Sequence, residues 1–158
     1  MTAKEYLQSV KDADTQIKVM IDDLHMMRET MYSIQGVQIS GDRVQTSPKS
    51  GAKFEGLLSN IDEKEQHISQ KISELIDFKL KVSEQISELK VSAEQKKVLH
   101  MHYIRFKSMY DIGKELGYIV DDDLHKWVYG LELRKEALKA FEAKYHDMLQ
   151  EMGDEQSV

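Results

Sequence analysis

Six side chains toward the C-terminal end have the types and spacing suited to meeting a polyanion. Lys107, Lys114, Lys126 and Arg134 are cations that can reach phosphate oxygens, while His125, Lys126 and Tyr129 carry groups suited to base edges. All of them lie in or beside the stretch Ser92 to Leu131, whose pattern is two short helices, a tight turn at Gly117 and a longer helix. That is the layout of a helix-turn-helix, in which the helix after the turn enters a major groove. Asp121, Asp122 and Asp123 stand at the start of that last helix, where its dipole favours carboxylates but a phosphate would be repelled. The triplet is better suited to contact with a protein partner.

Other chemistry finds little support. The chain has no cysteine, which excludes disulfides and thiolate metal sites. His100 and His102 are two residues apart and point to different faces of a helix, a poor metal pair, and His25, His67, His125 and His146 are scattered. Neither a Gly-rich phosphate loop, a nucleophile constellation nor a catalytic carboxylate pair occurs. The expectation is a protein that is not an enzyme and uses no metal or cofactor. With no long apolar run and no charged-then-apolar start, it is also expected to be a soluble cytoplasmic chain that makes no membrane contact.

The elements that must hold these residues are all helical. One Pro, eight Gly and many Glu, Lys, Gln, Leu and Ile in 158 residues favour helix throughout. Thr2-Ala-Lys-Glu5 is a capping box opening a helix over 2–34. Along it, Ala3, Val10, Ile17, Leu24 and Met31 recur every seven residues, with Tyr6, Ala13, Met20, Met27 and Ile34 three positions later. Such a narrow heptad stripe predicts a coiled-coil seam. Gly36, Gly41, Pro48 and Gly51 then break the pattern, so 35–53 reads as a loop. A second coiled-coil helix covers 54–90 with Phe54, Ile61, Ile68, Leu75, Val82 and Leu89 in one seam. Its other seam has Leu58, Ile72 and Ile86 but also Glu65 and Lys79, and Ile76, Phe78 and Leu80 widen the apolar face where another element could pack. An antiparallel hairpin is the simplest pairing, and a homodimer through the same stripes is the competing one.

The helix-turn-helix domain covers 91–150. Ser92-Ala-Glu-Gln95 caps its first helix, which buries Val98, Leu99, His102 and Tyr103 and ends near Ile104. Ser108 caps a second, Met109 to Leu116, where Gly113 allows close approach and Gly117 takes a left-handed turn. A single last helix runs to about Gln150 on Leu124, Trp127, Val128, Leu131, Leu138, Phe141, Tyr145 and Met148, leaving a frayed tail over 151–158. Net charge over the whole chain is −6, against +3 for residues 90–120 and −2 for 121–150. The scaffold helices are basic enough to dock on a phosphate backbone, and the last helix is not.

The run Leu89-Lys-Val-Ser-Ala-Glu-Gln-Lys-Lys-Val-Leu-His-Met-His-Tyr-Ile104 with Ser108-Met-Tyr-Asp-Ile-Gly-Lys-Glu-Leu-Gly-Tyr118 resembles region 4 of bacterial sigma factors. With the coiled coil and Asp42-Arg-Val-Gln-Thr-Ser-Pro48, residues 3 to about 118 look like a family of phage and prophage proteins of Gram-positive bacteria. Related phage late-gene transcriptional regulators share the C-terminal module. After Gly117-Tyr118 the chain departs, with Ile119-Val-Asp-Asp-Asp-Leu-His-Lys-Trp-Val-Tyr129 where members have Ser and a helix rich in Arg, Gln, Tyr and His. The resemblance implies a transcriptional regulator in a bacterial host cell that binds double-stranded DNA. The acidic departure suits an alternative, an inhibitor or modulator of a host transcription or defence protein, such as an RNA polymerase subunit or a nuclease. A structural phage assembly protein is the third option.

Overall fold

A computed structural model describes the backbone of residues 1–39, 48–118 and 124–155 and the side chains of 1–33, 54–118 and 128–154. Regular structure in these residues is helical, as expected. The helices are α1 (Ala3–Ile39), α2 (Pro48–Ser87), α3 (Ala93–Leu99, continued by a π-helical turn His100–Ile104), α4 (Met109–Glu115), α5 (Leu124–Lys144) and α6 (His146–Glu155). Two long helices form a hairpin and shorter ones follow it. The chain divides into two compact units, Asp14–Leu75 and a second made of Met1–Ala13 with Ile76–Val158, so that α1 and α2 contribute to both.

In the first of these units the heptad stripes do what their spacing predicts. Leu24, Ile61 and Ile68 are buried against each other, with Met20, Met27, Met31 and Leu57 packed around them. Glu65, a polar intruder in the seam, is answered by an ion pair with Arg28, and Lys64 reaches Asp23 at 3.2 Å. Both pairs are partly exposed to solvent and contribute about 0–1 kcal/mol each. The second seam of α2 is only half used, since Leu58 and Ile72 remain 42% and 39% exposed.

The loop expected over 35–53 is shorter in the structure. Helical backbone in α1 continues through Gly36 to Ile39, and α2 begins at Pro48. An interior Gly costs a helix only about 1 kcal/mol, and Pro suits a first helical position because its missing N–H would have no partner there. Residues 40–47 lie outside the described ones.

The other unit is built around Tyr6. Its ring packs edge-on against Phe78 at 5.6 Å and beside Phe141 at 5.9 Å, and its hydroxyl donates to Gln85 Oε1 at 3.0 Å in the core. Gln85 is held in turn by Met148 Sδ at 3.3 Å, and its carbonyl accepts from the Tyr145 hydroxyl at 3.2 Å. Leu7, Val10, Val82, Ile86, Leu89 and Leu149 complete this core. Of the three residues expected to widen α2, Phe78 packs here, whereas Ile76 and Leu80 stay exposed among the described residues. Lys79, the other polar seam residue, holds its ammonium 4.6 Å from the centre of the Phe106 ring.

A second cluster joins α3, α4 and α5 through Val98, Met101, Met109, Ile112 and Leu133, with Leu116, Tyr118 and Leu131 against it. The capping boxes form as read: Thr2 with Glu5, and Ser92 with Gln95. The single last helix does not. It breaks at Tyr145, and α5 turns Leu133, Ala137 and Phe141 inward at four-residue spacing while Val128 is half exposed. The α3–α4 cluster covers Leu133, with Leu131 against it, and Tyr6 covers Phe141, so these neighbours and not the apolar pattern of α5 choose what is buried. After the break, α6 reaches Glu155, so most of the expected frayed tail is helical.

Candidate nucleic-acid interface

Three local devices set the geometry between α3 and α5. The first is the end of α3, where the chain widens into a π-helical turn and Arg105 N–H bonds to His100 O at 3.2 Å. Lys107 N–H then reaches Met101 O at 3.0 Å, and Phe106 between them adopts φ 56°. A left-handed conformation costs an L-residue about 1–2 kcal/mol. It reverses the chain within two residues, so that Ser108 can cap α4 by accepting from Asp111 N–H at 3.1 Å.

The second device is the turn after α4. Gly117 has φ 74°, Tyr118 N–H bonds to Gly113 O at 2.8 Å, and Gly117 N–H to Lys114 O at 3.2 Å. These are the two crossed bonds of a Schellman cap, which satisfy carbonyls the helix would otherwise leave open. Tyr118, just past the cap, folds back on the α3–α5 cluster as that motif favours. Gly113 is buried in α4, as its expected role in close approach requires.

The third device is His102. Its Nδ1 lies 3.0 Å from Lys107 O, and its Nε2 lies 3.2 Å from an Arg134 guanidinium nitrogen. Arg134 can only donate, so Nε2 must accept, which leaves the ring proton on Nδ1 for the carbonyl. His102 is therefore neutral in this arrangement. Burial, with Arg134 and Lys11 adding to it, pulls its pKa below the usual histidine range against the opposing pull of the Lys107 carbonyl.

The six cations and base-edge candidates are not presented alike. Lys107 pairs with Glu115, whose carboxyl is held below its ordinary range chiefly by that bond. Lys114 lies with its ammonium 4.4 Å over the exposed Tyr110 ring. Tyr129 is 47% exposed and meets Tyr118 edge-on at 5.0 Å. Arg134 is half-buried and tied back to His102, which joins it to the connector carrying Lys107. His125 and Lys126 lie in the first turn of α5, and their side chains are outside the described residues, as is that of Trp127. Asp121, Asp122 and Asp123 fall outside them entirely.

Glu115, Tyr110 and Tyr118 are partners that the sequence did not point to, and His102, expected to face inward, is half-buried with Arg134 as its partner. Each is linked to a candidate by a contact spanning 4 to 32 positions. The Lys114–Tyr110 pair, four apart on α4, had a legible signal in its helical spacing. The others had none. Tyr118 also carries a buried hydroxyl with no hydrogen-bond partner among the described residues. Burial first, and then Glu94, which faces the hydroxyl without reaching ordinary hydrogen-bond geometry and adds its charge, push its phenol up to about 12.

No family model, curated protein or solved structure matches the chain.

Proposed function

We propose that α3, α4 and α5 form the helix-turn-helix of a phage- or prophage-derived transcriptional regulator that binds double-stranded DNA. The observation that carries it is the Schellman turn at Gly117, which leaves α4 and α5 on one shared core with α3 behind them. The resemblance of Leu89 to Tyr118 to sigma-factor region 4 supports the same reading. Tyr129, 47% exposed, is its best-presented contact, while Lys107 and Arg134 must first leave Glu115 and His102, and Lys114 its place over the Tyr110 ring. The helical hairpin serves dimerisation or contact with host transcription machinery, in the cytoplasm of the bacterial host. Among the described residues no helix is long and apolar enough to cross a membrane.

A gel shift with random duplex DNA tests this proposal. Binding at about 50 mM salt that weakens steeply as salt rises is expected, because neutralising phosphates releases counterions. Absence of a shift at that salt refutes it.

A second reading, an acidic modulator of a host RNA polymerase subunit or nuclease, is favoured by the internal engagement of Lys107 and Arg134 and by the −2 charge of residues 121–150. Replacing Asp121, Asp122 and Asp123 together by Asn separates the two. Stronger duplex binding is the outcome for a DNA reader, and loss of a protein partner with no gain in DNA binding is the outcome for the modulator.

A further inference from the structure

A cleft of about 320 Å³ opens where the C-terminal end of α2, α3 with its π-helical turn, and Glu115 of α4 meet. Its charge runs against that of the chain. Lys96, Lys97 and Arg105 line it together with one carboxylate, Glu115, while the protein as a whole carries −6. Glu115 is already paired with Lys107. Lys96 spends one of its three N–H groups on Ser87 O at 2.7 Å and keeps two. Lys97 and Arg105 are exposed, and neither side chain has an ion-pair or hydrogen-bond partner among the described residues, although both help to lower the Glu115 pKa. Three cations gathered in one concavity repel each other, and that arrangement is relieved by an anion with several oxygens.

The remaining walls narrow the class of anion. Ile86 and Met101, each 2% exposed, supply the apolar part of the lining together with the aliphatic stems of the two lysines, and His100 belongs to the same lining. Burial, then Arg105, pulls the His100 pKa below its usual range, so the ring is a neutral donor and acceptor at physiological pH. A planar guanidinium beside two ammonium groups suits the oxygens of a phosphate better than a lone carboxylate. A pocket of this size, with an apolar floor and a few convergent polar groups, suits a small organic ligand. The phosphates of a duplex lie on a stiff convex surface and do not reach an apolar inner wall between helices.

We infer that this cleft binds a small phosphorylated ligand of the nucleoside-phosphate class, with its phosphate on Lys96, Lys97 and Arg105 and its flat body toward Ile86 and Met101. The inference is independent of duplex binding by α4 and α5, so either can fail without the other.

Calorimetric titration of the full chain at low salt with ADP, adenosine, inorganic phosphate and a short random duplex tests it. ADP is expected to bind at one site per chain, with adenosine and inorganic phosphate each about tenfold weaker or more. The double variant K97E/R105E, at two exposed positions, is expected to weaken ADP about tenfold or more, while K139E on α5 leaves it unchanged. Thermal melting of both variants shows that the fold is kept. No ADP binding, equal binding of inorganic phosphate, or ADP binding that survives K97E/R105E in a folded chain each overturns the inference. So does duplex DNA that displaces ADP and is itself lost in that variant, because the cleft would then belong to a nucleic-acid backbone.

Discussion

Replacing Gly117 by Ala isolates the backbone conformation on which the turn depends. Gly117 holds φ 74°, and a Cβ built there meets nothing within 4 Å, so the substitution brings strain without a clash. Left-handed backbone costs an L-residue about 1–2 kcal/mol. Against this, Ala leaves the unfolded chain less freedom to lose, which offsets about 0.4–1 kcal/mol. The net expectation is a loss of about 1 kcal/mol, or about 2–4 °C in Tm for a domain of this size. Asn, which tolerates the left-handed region, should cost less than Ala. Urea unfolding measures the loss, and hydrogen exchange at the Gly117 and Tyr118 amides, bonded to Lys114 O and Gly113 O, locates it. If Ala leaves stability unchanged or raises it, or if Asn costs more than Ala, the cap does not hold the turn as described.

Tyr6→Phe should cost about 1–3 kcal/mol by leaving the Gln85 oxygen buried without its donor, and Gln85→Leu a comparable amount, while the double variant falls well short of their sum. Additive losses in urea unfolding would show that the two groups do not depend on each other. His102 and His100 both titrate below their ordinary range, so their contribution to stability is complete above the unfolded value near 6.5 and is lost as pH falls below it toward their folded values. Thermal melts should therefore weaken on acidification from pH 7.5 to about 5.5, with a shallower dependence in His102→Asn; an unchanged slope in that variant would remove His102 from the effect. Tyr118→Phe deletes a buried hydroxyl that has no hydrogen-bond partner among the described residues, and is expected to leave Tm unchanged or raise it. A loss above about 1 kcal/mol would mean that the hydroxyl is bonded in solution.

Most of the helical frame was legible because its cause is periodic. Val10, Ile17, Leu24, Ile61, Ile68, Leu75 and Val82 are buried where seven-residue spacing puts them, and Ser92, Ser108 and Gly117 cap or end helices where their own chemistry suits. Spacing was a poorer guide where one apolar face could pack in several ways. In α5 it pointed to Val128 and Leu138, while the core took Leu133 and Ala137, because the line of contact with α3 and α4 is decided by those helices. Likewise Leu58 and Ile72 satisfy a second seam in pattern and remain exposed.

The sequence by itself determined an all-helical chain, a heptad stripe on each of two long helices, two capping boxes and a left-handed glycine turn, since each depends on residues within about seven positions of one another. Only the tertiary structure decided which cations are engaged. Arg134 lies against His102 32 positions away, while Lys107, ahead of α4, pairs with Glu115 at its other end. The same holds for the cleft, where Lys96, Lys97 and Arg105 amount to unremarkable surface charges until the end of α2 brings Ile86 beneath them. Local preference records what one segment can do alone. Which charges meet depends on how helices of fixed shape come to rest on each other, and that is settled by packing of the whole.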